Sequence, residues 1–339
     1  MSSMSAPLDQ LGRPMRDLRI SVTDRCNFRC TYCMPREVYG RDFAFLARPE
    51  LLSYEEIARL TALFVAEGVH KVRLTGGEPL LRRELHRLVA MLAAVPGLQD
   101  LTLTTNGSLL ARQARALADA GLSRVSVSLD SLDDSVFARL NDVAFPVSAV
   151  LAGIRAAEDA GLNPIKINMV VRRGVNEDSV LPMARHFRAR GHALRFIEYM
   201  DVGHTNGWRL DEVVPASEIL ALIDAEMPLE PLPATYRGEV ATRWRYRDGS
   251  AEVGVIASVS RPFCGDCTRA RVTADGQLYT CLFASTGHDL RGPMRAGADD
   301  QALRELIRGV WVPRADRYSE LRSIATRDPQ RVEMSRVGG

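Results

Sequence analysis

Three cysteines in one short loop constrain this chain more than any other feature. Cys26, Cys30 and Cys33 are spaced C-x3-C-x2-C and directly follow a strand predicted over residues 18–23. A tight loop can direct three thiolates at one ligand if that ligand is larger than a single ion. A four-iron cluster meets this condition because each thiolate binds a separate iron. The spacing therefore predicts a [4Fe-4S] cluster with one iron open to another ligand, as is typical of catalytic metal centres; zinc and a disulfide are the alternatives.

A second group of three cysteines lies near the other end of the chain, at Cys264, Cys267 and Cys281. A zinc site would need a fourth ligand, for which His288 is the nearest candidate in sequence. Because the chain already has one three-cysteine site, a second open [4Fe-4S] cluster is the favoured interpretation.

Two arginines lie between the ligands of this second site. Arg269 and Arg271 alternate on a predicted strand and so face the same side. Two guanidinium groups beside a cluster suit a phosphate-bearing ligand, which they can bind through paired hydrogen bonds. A solvated surface is the alternative.

Charge and cysteine usage limit the classes of protein. All six cysteines of the 339-residue chain fall into the two groups, and the formal net charge is only +2. A charge this small gives no reason to expect a nucleic-acid surface, so any basic site must be local. We find no signal peptide and no apolar run of membrane-spanning length, and we therefore expect a cytoplasmic protein without a membrane partner. Clustered cysteines in that compartment bind metal more often than they form disulfides.

Strand and helix patterns alternate through the first two thirds of the chain. Such alternation predicts a parallel sheet covered by helices, either doubly wound or a partial barrel. The composition changes near Pro228, which predicts one unit over residues 1–228 and a second over 229–339. The six predicted strands span residues 18–23, 69–74, 101–104, 125–129, 166–171 and 194–199.

A glycine pair follows the second predicted strand, in the turn Thr75-Gly76-Gly77-Glu78-Pro79. Paired glycines let the backbone approach a ligand closely, and the carboxylate of Glu78 suits an ammonium group. An ordinary strand-to-helix turn is the alternative.

Together, the first cysteine loop and this turn resemble the radical S-adenosylmethionine (SAM) superfamily. The resemblance implies an α/β fold, an open six-unit (β/α) barrel followed by a C-terminal auxiliary-cluster region. It also implies that the open iron binds SAM. The SAM contacts implied by the matching positions are Tyr32, Gly77, Ser128 and Met200.

The stretches 166–170, 195–200 and 262–272 and the closing glycine pair are similar to the GTP-cyclising branch of that superfamily, which acts in molybdenum cofactor biosynthesis. The resemblance implies two [4Fe-4S] clusters, held by Cys26, Cys30 and Cys33 and by Cys264, Cys267 and Cys281. The implied GTP contacts are Arg19, Arg73, Thr104, Lys166, Arg269, Ala270 and Arg271. The implied catalytic residues are Arg269, Arg271, Gly338 and Gly339, with the glycine pair reaching into the active site.

The chain departs from that branch at two positions. Asp201 stands where proline is common, and Thr268 stands where asparagine is common. Neither position holds a ligand in the family, so we discount both departures. We also see no role for Lys71, although Lys71 and Lys166 are the only lysines of the chain.

The resemblance implies a reaction and a set of partners. A SAM-derived radical would remove the ribose 3′ hydrogen of GTP, and the ribose carbon would then attack C8 of the guanine. The implied partners are GTP, an electron donor, cyclic pyranopterin monophosphate synthase as the next enzyme, and a second copy of the chain in a possible homodimer. Because the site residues lie on six different strands, we expect them to converge on one mouth of the barrel. A peptide-modifying radical SAM enzyme and an iron–sulfur sensor or electron carrier are the alternatives.

Overall fold

A single sheet organises the chain in a computed structural model that describes residues 6–322 and 331–338. Its strands are Asp17–Ser21 (β1), Lys71–Thr75 (β2), Asp100–Thr105 (β3), Arg124–Ser128 (β4), Lys166–Val171 (β5), Ala193–Glu198 (β6), Leu229–Leu232 (β7), Thr242–Tyr246 (β8), Glu252–Ile256 (β9), Arg269–Val272 (β10), Gln277–Tyr279 (β11) and His288–Asp289 (β12). The α-helices are Tyr54–Ala66 (α1), Leu85–Ala93 (α2), Leu110–Asp119 (α3), Asp134–Asn141 (α4), Val147–Asp159 (α5), Val180–Arg188 (α6), Ala216–Asp224 (α7), Arg291–Arg295 (α8), Asp300–Trp311 (α9), Tyr318–Leu321 (α10) and Met334–Val337 (α11).

The first six strands form the predicted βα units. Each pairs in parallel with the next, from β1 through β6. Helix α1 begins at the predicted capping box, in which Ser53 accepts a hydrogen bond from the Glu56 amide. The crossover after β4 contains two helices where one was predicted. The chain turns at Asp142, which has a left-handed backbone, and α5 begins after Pro146, whose ring disfavours continuing a helix.

Strands from the last third of the chain extend both edges of this sheet. Strand β9 pairs in parallel with β6, and β10 pairs in parallel with β1. The antiparallel strands β8 and β7 follow on one side, and β11 and β12 follow on the other. The two outermost strands, β12 and β7, do not pair with each other, so the sheet stays open. The predicted fold class, an open partial barrel, is confirmed. The boundary near residue 228 stays a prediction.

The described residues before β1, residues 6–16, are held to the rest of the protein by Arg13. Arg13 is fully buried and donates hydrogen bonds to Asp9 Oδ2 at 2.6 Å, to the carbonyl of Cys264 at 2.6 Å and to the carbonyl of Asp316 at 2.9 Å. It thereby connects these residues to the second cysteine group.

No helix among the described residues is long and apolar enough to cross a membrane.

A buried carboxylate connects the first helix to α9. Glu67 caps the end of α1 with a fully buried side chain, and its two oxygens lie 2.6 Å from Arg304 Nε and 2.5 Å from Arg308 Nε. Both arginines are on α9, whose apolar side buries Leu303, Ile307 and Trp311.

We predict that Glu67→Gln lowers the free energy of unfolding by about 2 kcal/mol, because it leaves two partly buried guanidinium groups without their carboxylate. Chemical denaturation followed by circular dichroism measures the change. Glu305→Gln, on the exposed side of α9, is the matched control and should change the stability by less than about 0.5 kcal/mol. Equal losses in the two variants would contradict the role of this contact.

Candidate active site

Three arginines lie side by side inside the sheet. Arg19 on β1 is in register with Arg271 on β10 and with Arg73 on β2, so the three are direct cross-strand neighbours. All three line one cavity. Like charges directly opposite one another in a sheet are destabilising unless something offsets them. This row is therefore the first sign that the cavity receives an anion.

The cavity holds more positive charge than the chain itself neutralises. Within the described residues, six of its cationic side chains form no ion pair with a carboxylate: Arg19, Arg73, Lys166, Arg195, Arg269 and Arg271. Burial and the neighbouring guanidinium groups lower the pKa of Arg73 to about 9 and that of Lys166 to about 7. Burial, with Arg271 and Arg269 nearby, also holds the pKa of Arg19 well below its usual range. Bound negative charge would relieve this mutual repulsion.

Uncharged groups line the same wall. Arg73 donates hydrogen bonds to Thr104 Oγ1 at 2.8 Å and to Ser126 Oγ at 3.1 Å, which fixes its guanidinium against β3 and β4. Asn168 on β5 also lines the cavity, and its buried Oδ1 accepts no hydrogen bond. A buried acceptor without a partner is available to a donor on a ligand.

The sequence analysis missed several residues of this cavity. Lys71, for which the sequence indicated no role, lines it and lies 3.2 Å from Asp17. Arg195 and Arg124 also line it, and Arg124 is paired with Asp100. The available signal was positional: Lys71, Arg124 and Lys166 each occupy the first residue of a strand.

The second cysteine group opens into this cavity at the amino end of β10. Cys264, Cys267 and Cys281 all contribute to its lining, and none forms a disulfide. Burial alone would raise the pKa of Cys267, but the guanidinium groups of Arg269 and Arg314 lower it to about 6. Arg269 donates to Cys267 Sγ at 3.3 and 3.4 Å, so this thiol is poised to bind metal as a thiolate.

Zinc with His288 as fourth ligand does not fit this arrangement. Among residues 6–322 and 331–338, no three His, Cys, Asp or Glu side chains come together as a site for one metal ion. His288 is exposed on β12. Three thiols around a larger cluster, each binding a separate iron, fit the residues present.

The first cysteine group lies at the opposite end of the parallel sheet. Its loop follows the carboxyl end of β1 and is held to the end of α4, where the amides of Arg29 and Thr31 donate to the carbonyls of Asn141 and Leu140, both at 2.9 Å. Burial raises the pKa of Cys26 to about 11 and raises those of Cys30 and Cys33 further. These thiols need a bound metal to become thiolates, and their side chains are half-buried and unbridged, so they fit a cluster.

Beside this loop, the glycine pair approaches the backbone closely. A Cβ at Gly77 would clash with the carbonyl oxygen of Arg25, so only glycine fits there. Glu78 does not present a free carboxylate to an ammonium group as predicted. It is buried and accepts hydrogen bonds from Thr105 Oγ1 and the Asn106 amide, both at 2.7 Å, which pins the turn to the end of β3.

The three other predicted SAM contacts lie in the first cysteine loop or near the carboxyl end of a strand. Tyr32 is buried, and its hydroxyl donates to Asp130 Oδ2 at 2.8 Å. Ser128 ends β4 but is not part of the cavity lining, which Ser126 joins instead. Met200 follows β6 and does line the cavity.

The site residues do not converge on one mouth. Arg19, Arg73 and Thr104 lie inside the sheet, Lys166 lies at the amino end of β5, and Met200 lies beyond the carboxyl end of β6. The single-mouth prediction is therefore wrong, because inward-facing strand positions extend along the whole barrel interior. Ala270, between Arg269 and Arg271, faces away into the hydrophobic core.

The C-terminal segment connects the two ends of the site. Arg271 donates to the carbonyl oxygen of Val337 at 3.0 Å and to that of Gly338. Gly338 has a left-handed backbone and lies against Thr75, where a Cβ would clash. Glu333 lies close enough to Cys33 to raise the pKa of that thiol. Gly339 lies outside the described residues.

Asp201 anchors this segment. Its carboxylate accepts hydrogen bonds from Tyr318 Oη at 2.7 Å, Arg322 Nε at 3.0 Å and Arg331 at 3.2 Å. Arg331 also stacks over the Tyr318 ring at 4.3 Å. The sequence analysis discounted Asp201, but its carboxylate binds both Arg322 and Arg331, which a proline at this position could not do.

The chain matches two family models. The Radical SAM superfamily model covers residues 20–187, and the Molybdenum Cofactor Synthesis C model covers residues 192–320. Among curated proteins, it is 58% identical to a GTP 3′,8-cyclase of Acidothermus cellulolyticus, with 99% of this chain and 95% of the relative covered. It is 54% identical to one of Xanthomonas axonopodis pv. citri (99% and 100% covered) and 45% identical to one of Staphylococcus aureus (98% and 98% covered).

Solved structures give a more distant likeness. The crystal structure of Streptococcus suis SuiB bound to S-adenosylmethionine is 14% identical, with a TM-score of 0.61, covering 87% of this chain and 68% of that one. The structure of SuiB bound to the precursor peptide SuiA has the same TM-score of 0.61 and 14% identity, with 88% and 68% covered. At this identity the likeness concerns the fold alone.

We predict that Asp201→Asn releases the terminal segment. Loss of the charge on Asp201 weakens its contacts with Arg322 and Arg331, and a cost of about 1.4 kcal/mol to local closure corresponds to roughly tenfold faster cleavage. Trypsin cleavage after Arg331, followed by mass spectrometry, measures the rate. Asp211→Asn, at an exposed aspartate, is the control and should leave the rate unchanged. Equal rates for both variants and the wild type would show that Asp201 does not hold the segment.

Proposed function

The chain belongs to the GTP 3′,8-cyclase family of radical SAM enzymes, and on this premise we propose that it converts GTP to (8S)-3′,8-cyclo-7,8-dihydroguanosine 5′-triphosphate, the first step of molybdenum cofactor biosynthesis. The identities of 45–58% over nearly the whole chain support this reaction over peptide modification and over a sensor or electron carrier. The cofactors are SAM and two [4Fe-4S] clusters.

One observation carries the substrate assignment. Arg271, Arg19 and Arg73 form a row of buried guanidinium groups, and no carboxylate of the described residues forms an ion pair with them. Buried charge without a partner is expensive, and a triphosphate supplies the missing negative charge together with acceptors for several guanidinium hydrogen bonds. We assign GTP to this cavity on that ground.

The chain's own residues then have distinct tasks. Cys26, Cys30 and Cys33 would hold the first cluster, and Cys264, Cys267 and Cys281 the second. When bound, the first cluster and SAM supply the radical chemistry that removes the ribose 3′ hydrogen of GTP. Tyr32, Gly77, Ser128 and Met200 are proposed to hold SAM beside the first group.

Positioning of the nucleotide is the main contribution of the protein. Lys166 and Arg195, at and near the amino ends of their strands, are proposed to bind the phosphates, together with the arginine row. The row lies between the two cysteine groups, so a nucleotide held there can reach both. Holding the two reacting partners in contact replaces a random encounter by a preset geometry.

The terminal segment is proposed to complete the chamber. Arg271 lines the proposed substrate site and also donates hydrogen bonds to the carbonyls of Val337 and Gly338, so the segment orients that guanidinium. The segment would also cover the space between the two cysteine groups. Gly338 and Gly339 would thereby exclude water from the radical reaction.

The family also suggests partners. We propose that an electron donor supplies the reducing equivalent and that the product passes to cyclic pyranopterin monophosphate synthase in the cytoplasm. A homodimer is part of the same proposal.

The test is anaerobic reconstitution followed by turnover. Purified protein is loaded with iron and sulfide, counted for two four-iron clusters, and incubated with SAM, reductant and GTP. We expect 5′-deoxyadenosine and the cyclised nucleotide in equal amounts, and Arg73→Met should reduce nucleotide binding by about 100-fold, a cost of about 2.7 kcal/mol for a lost charged contact. SAM cleavage that is indifferent to GTP would refute the proposal.

We further predict that GTP binding takes up a proton near pH 7–8. The pKa of Lys166 is about 7 in the free protein, because of burial and the charges of Arg195, Arg124, Lys71 and Arg73. A bound phosphate raises that pKa, so affinity is highest below pH 7 and falls as the pH rises between the free and bound pKa values.

Calorimetry in buffers of different ionisation enthalpy measures this proton uptake. Lys166→Met should remove the proton uptake. Lys71→Met should retain it, because burial is the largest cause of the lowered pKa of Lys166 and the charge of Lys71 is a smaller one. Uptake that survives in Lys166→Met would assign the proton to another group.

A further inference from the structure

A basic groove lies on the outer surface beside the first cysteine loop. It is lined by six arginines and only two glutamates: Arg25, Arg48, Arg82, Arg83, Arg87 and Arg295, with Glu55 and Glu84. The difference, six positive minus two negative charges, is +4, whereas the formal charge of the entire chain is +2. Positive charge therefore exceeds negative charge along this groove.

Some of these arginines are used within the fold. Arg82 donates to the carbonyls of Val22 and Leu52, both at 2.7 Å, and Arg295 is paired with Glu56 at 2.7 Å. Arg87 lies 3.6 Å from Glu84.

Other arginines of the groove face solvent without a partner. Arg48 and Arg83 are exposed, and within the described residues their side chains form no ion pair or hydrogen bond. Arg25 is also exposed, but it donates a long hydrogen bond, 3.5 Å, to the carbonyl of Leu46, and its guanidinium lies 5.5 Å from the centre of the Phe45 ring. The guanidinium groups of Arg48 and Arg83, which have no partner among the described residues, are therefore available to an external anion.

The groove lies next to the first metal site. Arg25 directly precedes Cys26 in the chain, and Thr23 on the same wall lies three residues before it. The carbonyl of Arg25, a residue of the groove wall, accepts a hydrogen bond from the Glu78 amide of the glycine turn at 2.8 Å. The loop that contains Arg25 therefore lies between the groove on one side and the glycine turn and the first cysteine group on the other.

We propose that this groove is the docking surface for an acidic one-electron carrier protein. The inference rests on the proposed function, because radical SAM chemistry needs one electron at the centre held by Cys26, Cys30 and Cys33. Electron transfer falls steeply with distance, and a carrier seated here lies against the loop that holds Cys26. On transfer the carrier is oxidised by one electron and the centre is reduced by one.

Charge selects a protein of this class. Complementary charge accelerates encounter and orients the partners without a large apolar contact, as suits a transient electron-transfer complex. Little apolar surface is exposed on the wall of the groove: Leu81, with 38% of its surface exposed, is the large apolar side chain there that faces solvent. This composition fits a small and largely polar contact.

The experiment compares two double charge reversals of the reconstituted protein. Arg48→Glu/Arg83→Glu lies in the groove, and Arg155→Glu/Arg190→Glu lies outside it, at exposed arginines on and just after the crossover helices α5 and α6. The probe is purified flavodoxin, an acidic flavin carrier, and binding is measured by calorimetry at low and high salt. We expect the groove variant to bind about tenfold more weakly at low salt, the control variant to change less than twofold, and the wild-type affinity to fall as salt rises.

Turnover with two donors separates this inference from the proposed function. With reduced flavodoxin the groove variant should lose product formation in step with binding, whereas with reduced methyl viologen, a small cation that needs no docking surface, it should match the wild type. No cyclised product from the wild type with either donor would refute the function, while the binding comparison would still judge the groove.

Three results would overturn the docking proposal. These are equal flavodoxin binding by the two double variants, wild-type binding that is insensitive to salt, and tighter binding of a short DNA duplex than of flavodoxin. Arg48→Gln/Arg83→Gln removes the charges without reversing them and provides the same comparison if the glutamate variant is poorly folded.

Discussion

Uncompensated positive charge inside the barrel is the constraint on which the rest of the site depends. The arginine row across β10, β1 and β2 would be destabilising in an ordinary sheet, where like charges are not placed opposite one another. The fold tolerates this row because the surrounding strands and helices bury a large common core, and the stability of that core offsets the repulsion between the arginines. A polyanion that enters the cavity relieves the repulsion between these guanidinium groups, and this relief contributes to the free energy of binding. The lowered pKa values of Arg73 and Lys166 have the same cause, which is burial next to other positive charges.

The open sheet turns this charged interior into a chamber with two distinct ends. The first cysteine group follows the carboxyl end of β1, whereas Cys264 and Cys267 of the second group precede the amino end of β10, the parallel neighbour of β1, and Cys281 follows β11. Two parallel strands therefore hold the groups at opposite ends, with the arginines between them. The environments of the thiols differ accordingly: burial dominates at the first group, whereas Arg269 and Arg314 lower the pKa of Cys267 at the second. The terminal segment, held by Asp201 and by Arg271, spans the space between them.

The sequence by itself determined a good part of this arrangement. Cysteine spacing predicted two groups of three metal-binding thiols because ligand geometry is local, and strand–helix alternation identified the six parallel units because each pattern repeats within one element. The alternation of Arg269 and Arg271 placed both on one face of β10, and both line the cavity. These inferences needed only residues that are close together in the chain.

Only the tertiary structure decided which residues meet across the sheet. The register of β10 against β1 brings Arg271 beside Arg19 although 252 positions separate them in the numbering, and no local pattern specifies that pairing. The contributions of Lys71 and Arg195 to the cavity, and the grip of Asp201 on Arg331, likewise depend on long-range contacts. Strand pairing and loop packing are set by burial summed over the entire core, whereas a motif reports only the geometry of its own few residues.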